Sequence, residues 1–213
     1  QDEEALNFSK KRLERFGERV IFHHGNFSSL IEQYKNFPIR GILADIGVSS
    51  LQLDKKERGF AFDSDTLDMR MNPHNTLSAY EVINHYPKAE LELILREFGE
   101  IHEYKKMAEL ICTARAKEPI KSAKELSSLV ARMGSKKKIH PSTLLFQAIR
   151  IEVNNELGVL SQLLESIKNA HFEQCIVGII SFHSLEDRIV KQTFKLWSQN
   201  CICPPEVMRC LCG

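Results

Sequence analysis

The chain has 213 residues, enough to bury a sizeable core as one large domain or as one domain with an insertion. At 43% apolar and 27% charged it has the make-up of a soluble globular protein, and no stretch approaches the ~18–20 apolar residues that a membrane-spanning helix requires. The net charge of +1 says nothing by itself about nucleic acid, but its distribution does: Ile101–His140 holds ten Lys or Arg against four Glu, a basic stretch suited either to a polyanion or to a solvated helical face.

The polar, charged start at Gln1-Asp2 is neither a signal nor a transit peptide, and the expected compartment is the cytoplasm. Asp2–Phe16 reads as a helix with Asp2 as N-cap, acids in the first turn and Gly17 as the stop. Arg19–His23 then reads as a short strand closed by Gly25-Asn26, and Ile39–Ile46 as a strand buried on both faces, because its apolar residues run without alternation. From Asn75 the period changes. Ser78–Glu81 and Ser122–Glu125 have the form of capping boxes, and Pro87 stands like a first helical residue. The stripes Leu91/Ile94/Leu95/Phe98, Met107/Leu110/Ile111/Ala114 and Leu126/Leu129/Val130/Met133 fall at helical spacing. Residues 76–140 are therefore expected to form an inserted all-helical, basic domain, flanked by the discontinuous segments 1–75 and 141–213 of an α/β domain. A helix over Thr143–Ala170, a strand over Cys175–Phe182 and a helix starting near Ser184 complete the order. Cys112 and Cys175, in apolar surroundings, read as small core residues.

In an open α/β sheet ligands bind at the carboxyl ends of the strands. Three turns qualify: His24–Phe27, Asp45–Ser50 and Ser181–Asp187. Any one alone reads more readily as a plain turn; three on one edge favour a site. A hydrolase relay of Ser184, His183 and Asp187 is excluded, since neighbours on one turn cannot align as nucleophile, base and orienter.

Three long strings then become specific. Gly41–Asp54 with Glu57–Phe62 and Leu67–Pro73, Phe146–Leu157, and Ser181–Lys191 resemble the bacterial 16S rRNA (cytosine-N4)-methyltransferase family, and the resemblance covers essentially the whole chain. It implies a Rossmann-like class I methyltransferase sheet with an inserted helical domain, S-adenosylmethionine as cofactor, and 16S rRNA in the small ribosomal subunit as partner. No membrane is implied, and a homodimer is left open. The family begins with a strand and a glycine-rich loop, and the ten glycines here form no such cluster, so that first strand and loop are expected to be missing ahead of Gln1 and the cysteine-rich end to continue past Gly213.

Matched by motif, Phe27 is expected against the adenine, Asp45 near the cofactor's charged centre and Gln52 in the pocket wall; an aromatic face suits an adenine and a carboxylate a sulfonium cation. Ser49, Ser50 and His183 are the candidates for the pocket that receives the cytosine, which must leave its stack. The N4 amine is a weak nucleophile because its lone pair is delocalised into the ring, so positioning and electrostatics are expected to supply most of the rate. Arg58, Arg70, Arg150 and Asn154, with Lys136, Lys137 and Lys138, are the candidate RNA contacts; for the arginines, salt bridges to Asp68, Glu57 or Glu152 are the alternative. Cys201, Cys203, Cys210 and Cys212 suit a structural zinc site better than disulfides, although C-x-C is tighter than the usual C-x₂-C spacing. A non-enzymatic RNA-binding or ribosome-assembly module is the competing reading of the chain.

Overall fold

The computed structural model describes residues 1–131, 133 and 140–199. They form two compact units, one of residues 1–26 and 47–159 and one of residues 27–46 with 160 onward. The bounds differ from a split at residues 76 and 140: the helices of the basic stretch share their unit with segment 47–75 and with the helix that follows.

In the first unit, α1 (Glu3–Leu13) starts as its sequence requires, with the Asp2 carboxylate accepting from the backbone N–H of Glu4 and Ala5. It passes into a 3₁₀ segment, Glu14–Arg19, where Gly17 takes φ 54°. The expected strand at Arg19–His23 is not formed. Val20 has extended angles, but a strand exists only when a neighbour completes its ladder, and none does among the described residues.

After the short helix α3 (Ser50–Asp54), the helical part follows as α4 (Ala79–His85), α5 (Lys88–Glu97), α6 (Tyr104–Arg115), α7 (Ala123–Val130) and α8 (Pro141–Asn154). The stripes that predicted these helices face one another: Ile83, Leu91, Leu95, Met107, Ile111 and Leu126 are buried in a single core with Leu145 and Ile149 of α8. Each such side chain contributes about 1.5–3 kcal/mol through burial. Both expected capping boxes are half made. Ser78 and Ser122 accept from the N–H of Glu81 and Glu125, but those glutamates turn to His85 and to the backbone of Lys121. Pro87 is the N-cap of α5, one position before its expected place.

The helix expected over Thr143–Ala170 is two helices. Asn155 closes α8 in the left-handed conformation, φ 49°, and α9 (Glu156–Asn169) begins at the next residue. Asparagine tolerates that conformation better than any other residue bearing a Cβ, so the break is encoded locally.

The second unit holds α2 (Leu30–Tyr34), β1 (Gly41–Asp45), most of α9, β2 (Ile176–Ile180) and α10 (Ser184–Trp197). The two strands pair in parallel, from Gly41 with Ile176 to Asp45 with Ile180. Ile42, Ala44, Val177 and Ile179 pack toward Ile31, Leu160, Leu163, Leu164 and Ile167. The opposite face is open, with Leu43 75% and Ile176 78% exposed, which corrects the expectation of strands buried on both sides. Helices cover one face of this sheet among the described residues, and an apolar run cannot reveal which of its faces is covered. Cys112 and Cys175 are half-buried free thiols; Cys112 packs against the main core as expected, and Cys175 lies outside the core clusters of the described residues.

Candidate cofactor and substrate site

Parallel pairing in register brings the carboxyl ends of β1 and β2 side by side. The pairing continues one step further, where the Ile46 N–H donates to the Ile180 carbonyl at 3.2 Å. The turns that leave both strands therefore start from one edge, the place where α/β proteins bind ligands. Asp45 ends β1 on the open face, in alternation with the packed Ile42 and Ala44. Its exposed carboxylate takes no hydrogen bond or ion pair among the described residues. Phe27 opens a 3₁₀ turn, Phe27–Ser29, and lies half-buried against the clusters built on Ile31 and on Ile46, in which Ala44 of β1 also packs. An unpaired carboxylate and an aromatic ring flanking the same strand fit a ligand that carries a cation and a planar ring system.

At the other turn His183, not Ser184, is the N-cap of α10. Its Nδ1 accepts from the Glu186 N–H at 3.4 Å, while the Glu186 carboxylate accepts from the N–H groups of Phe182 at 2.8 Å and His183 at 3.4 Å. With Nδ1 engaged as an acceptor, the neutral ring carries its proton on Nε2, which is buried 3.3 Å from Glu186 Oε1, so both ring nitrogens face into the turn. Glu186 is 2% exposed and organises the whole turn. Its part was legible only as the third residue after a capping position, and His is not the usual cap.

In the first unit, Gly47 takes φ 107° and leads into Ser49, which makes a complete capping box with Gln52. The Gln52 N–H donates to Ser49 Oγ at 3.3 Å and the Ser49 N–H donates to Gln52 Oε1 at 3.0 Å. Gln52 is buried, whereas Ser49 and Ser50 are exposed. Gln52 Nε2 in turn donates to Asp2 Oδ2 at 2.9 Å, and Arg58 Nη1 reaches the same oxygen at 2.8 Å. Burial alone would raise the Asp2 carboxyl pKa; the bonds from Arg58, Gln52 and the Ala5 N–H outweigh it and hold the group below its ordinary range.

The three arginines singled out from the sequence are all engaged within this unit. Arg58 also donates to the carbonyls of Arg70 and Met71. Arg70 forms a two-toothed pair with Asp68, at 2.8 and 2.7 Å, and reaches the Asn75 carbonyl. The pair raises the Arg70 pKa and, against burial, lowers that of Asp68. Arg150 pairs with Glu156 at 2.8 and 3.1 Å rather than with Glu152, which accepts from the Tyr86 hydroxyl. Asn154 is buried: its Oδ1 accepts from the Met71 N–H, and its Nδ2 donates to the carbonyls of Met69 and Arg150. Asp2 and Glu156 are the partners that sequence reasoning missed, because bonds between residues 56 positions apart, or across a helix break, leave no local pattern.

A cavity of about 830 Å³ opens between α6 and α7, with Leu110, Leu129 and Met133 in its wall and Lys106, Lys124, Asp65 and Glu125 beside them. Neither lysine has an ion-pair partner among the described residues, in contrast to Lys88 and Lys121, which are paired with Glu109 and Glu118. Lys136, Lys137 and Lys138, and the cysteines Cys201, Cys203, Cys210 and Cys212, lie outside the described residues.

Paired parallel strands with helices packed on them define an α/β protein, and the polar turns and unpaired carboxylate at the strands' carboxyl ends stand where such folds carry ligand sites. The chain belongs to the MraW methylase family, whose model matches residues 1–213, and it is thus a methyltransferase by family. It is similar over its whole length to three proteins called ribosomal RNA small subunit methyltransferase H. Identity is 60% with the one from Aliarcobacter butzleri (strain RM4018) over 213 residues, 70% of that protein. It is 57% with that of Sulfurovum sp. (strain NBC37-1), again 70% of its length, and 55% with that of Campylobacter jejuni (strain 81-176), 69% of its length. No helix of the described residues is long and apolar enough to cross a membrane.

Proposed function

We propose that the protein transfers a methyl group from S-adenosylmethionine to the exocyclic N4 of a cytosine in 16S rRNA, within the small ribosomal subunit. The observation that carries this reading is the similarity of the entire chain to proteins named as small-subunit rRNA methyltransferases, and the strings around Asp45, Asn154 and His183 supply the finer specificity. When bound, the cofactor supplies a methyl group on a sulfonium centre. Phe27 offers its ring to the adenine and Asp45 its unpaired carboxylate to the positive charge, and the family motif assigns Gln52 to the same cofactor. Ser49 keeps its hydroxyl hydrogen for a ligand while its oxygen caps α3. It and Ser50 are exposed at the start of that helix, where they can bind the polar edge of a cytosine turned out of its stack. His183 caps α10 and so fixes the Ser181–Asp187 turn, its Nε2 being buried. The chemistry asks for an acceptor beside the N4 amine as its lone pair localises, and not for a strong base. The basic stretch Ile101–His140, with Lys106 and Lys124 at the cavity, serves the RNA backbone.

The test is methyl transfer from labelled S-adenosylmethionine to small ribosomal subunits that lack the modification, followed by mass spectrometry of the nucleosides. N4-methylcytidine from 16S rRNA is expected. Asp45→Asn should weaken cofactor binding by about tenfold or more while leaving the melting temperature unchanged, since the carboxylate is exposed and bonded to nothing among the described residues. No transfer, or a methyl group on another atom, overturns the reading.

A further inference from the structure

The Asp2 carboxylate is bonded far beyond what a helix cap requires. Its Oδ1 accepts from the N–H groups of Glu4 at 3.1 Å and Ala5 at 3.2 Å, which completes the cap. Its Oδ2 takes no part in capping. It accepts from Gln52 Nε2 at 2.9 Å and Arg58 Nη1 at 2.8 Å, so each carboxylate oxygen serves two donors. The side chain is only 9% exposed and that of Arg58 13%, so the charges are largely withdrawn from water. A serine or asparagine would cap α1 equally well, and neither would bring a buried charge that must be paired. Capping therefore accounts for half of this side chain's bonding and for none of its charge.

The other half converges on the candidate site. Gln52 is held at both ends of its amide, by Asp2 through Nε2 and by the Ser49 N–H through Oε1, and its own N–H returns to Ser49 Oγ. A shift of the Asp2 carboxylate is thus transmitted through one rigid amide to the Ser49-Ser50 turn. Arg58 extends the same hold to the carbonyls of Arg70 and Met71, in a segment also pinned by the Met69 N–H donating to the Arg58 carbonyl and by the Met71 N–H donating to Asn154. We propose that Asp2 is a positioning residue for methyl transfer, its carboxylate setting the Ser49-Ser50 turn through Gln52 and the 69–71 segment through Arg58. The inference rests on the methyl-transfer reading above, which assigns Gln52 to the cofactor and the turn to the base.

Asp2→Asn in the full-length protein tests it. The asparagine Oδ1 keeps the cap, while its amide N–H₂ meets two donors where Oδ2 had accepted. Expected are a folded protein, a fall in kcat of about tenfold to a hundredfold, a raised KM for S-adenosylmethionine, and non-additivity: Asp2→Asn combined with Gln52→Met should lose less activity than the product of the two single losses, because the route through Gln52 is then already cut. Wild-type kinetics in folded Asp2→Asn, or losses that multiply in the double variant, overturn the proposal. Where Asp2→Asn does not fold, the pair Asp2→Asn with Arg58→Gln removes both buried charges together; if that also fails to fold, Asp2 is a fold determinant alone and the proposal falls. The parent protein is assayed first, so its inactivity would refute the methyl-transfer reading and not this assignment.

Discussion

Replacing Asn154 by alanine removes a buried clasp whose worth can be worked from its bonds. Oδ1 accepts from the Met71 N–H at 2.7 Å, and Nδ2 donates to the carbonyls of Met69 at 2.8 Å and Arg150 at 3.0 Å. The Arg150 carbonyl lies inside α8 and keeps its helical partner. The Met71 N–H and Met69 carbonyl are left stranded, at roughly 1–3 kcal/mol each. Met69 is 1% exposed and held at φ 59°, unusual for a residue with a Cβ, so release of that segment returns part of the loss. The net cost is about 2–4 kcal/mol, a large share of the ~5–15 kcal/mol that holds a protein together. Urea unfolding read by circular dichroism measures it as a lowered midpoint with an unchanged slope. A shift worth less than about 0.5 kcal/mol, accompanied by weaker RNA binding, would refute the clasp and return Asn154 to the RNA contacts expected from its motif.

Gly59→Ala should cost more than about 1 kcal/mol, because φ is 75° and a Cβ there would lie 2.5 Å from the Asp68 nitrogen, a backbone atom that cannot give way; an unchanged melting temperature would contradict this. The Asp2 and Asp68 carboxyls are both held below their ordinary value of 3.8. The stability they bring is complete above that value and is lost as pH falls through their lower folded-state values. The acid limb of a melting-temperature profile should therefore flatten in Asp68→Asn, and superimposable wild-type and variant limbs would disprove the Asp68 contribution. Charge reversal of Lys106 and Lys124 together should weaken rRNA binding and reduce its salt dependence by about two counterions, measured by filter binding across a salt series; an unaltered slope would remove the cavity from the RNA-binding surface.

The elements that the sequence disclosed are those whose cause is local. Asp2 followed by two acids, Ser78 and Ser122 ahead of apolar stripes, and Leu91, Ile94 and Leu95 at helical spacing each act within a turn or two of chain, and each appears where it was expected. Where a feature depends on a distant partner, the reading failed or stopped short. Among the described residues, Arg19–His23 has strand-forming residues but no neighbour to pair with, and β1 has an apolar run but a covered face on one side alone.

The Asp2 carboxylate shows the division most clearly. Its place at the head of α1 follows from the first few residues, since a cap is a bond between near neighbours. That its second oxygen takes Gln52 and Arg58 is decided by a chain that returns after some fifty residues, and no spacing rule records such a return. The same holds for the ligand edge. Motif strings marked Phe27, Asp45 and His183 as the residues to watch, while parallel pairing of β1 with β2, a contact between segments far apart in the chain, set the two strand ends side by side. Local chemistry thus determined which residues are candidates for the site, and tertiary structure decided which of them, like Asp45, stay unpaired among the described residues and which, like Arg70, Arg150 and Asn154, are bonded within the fold.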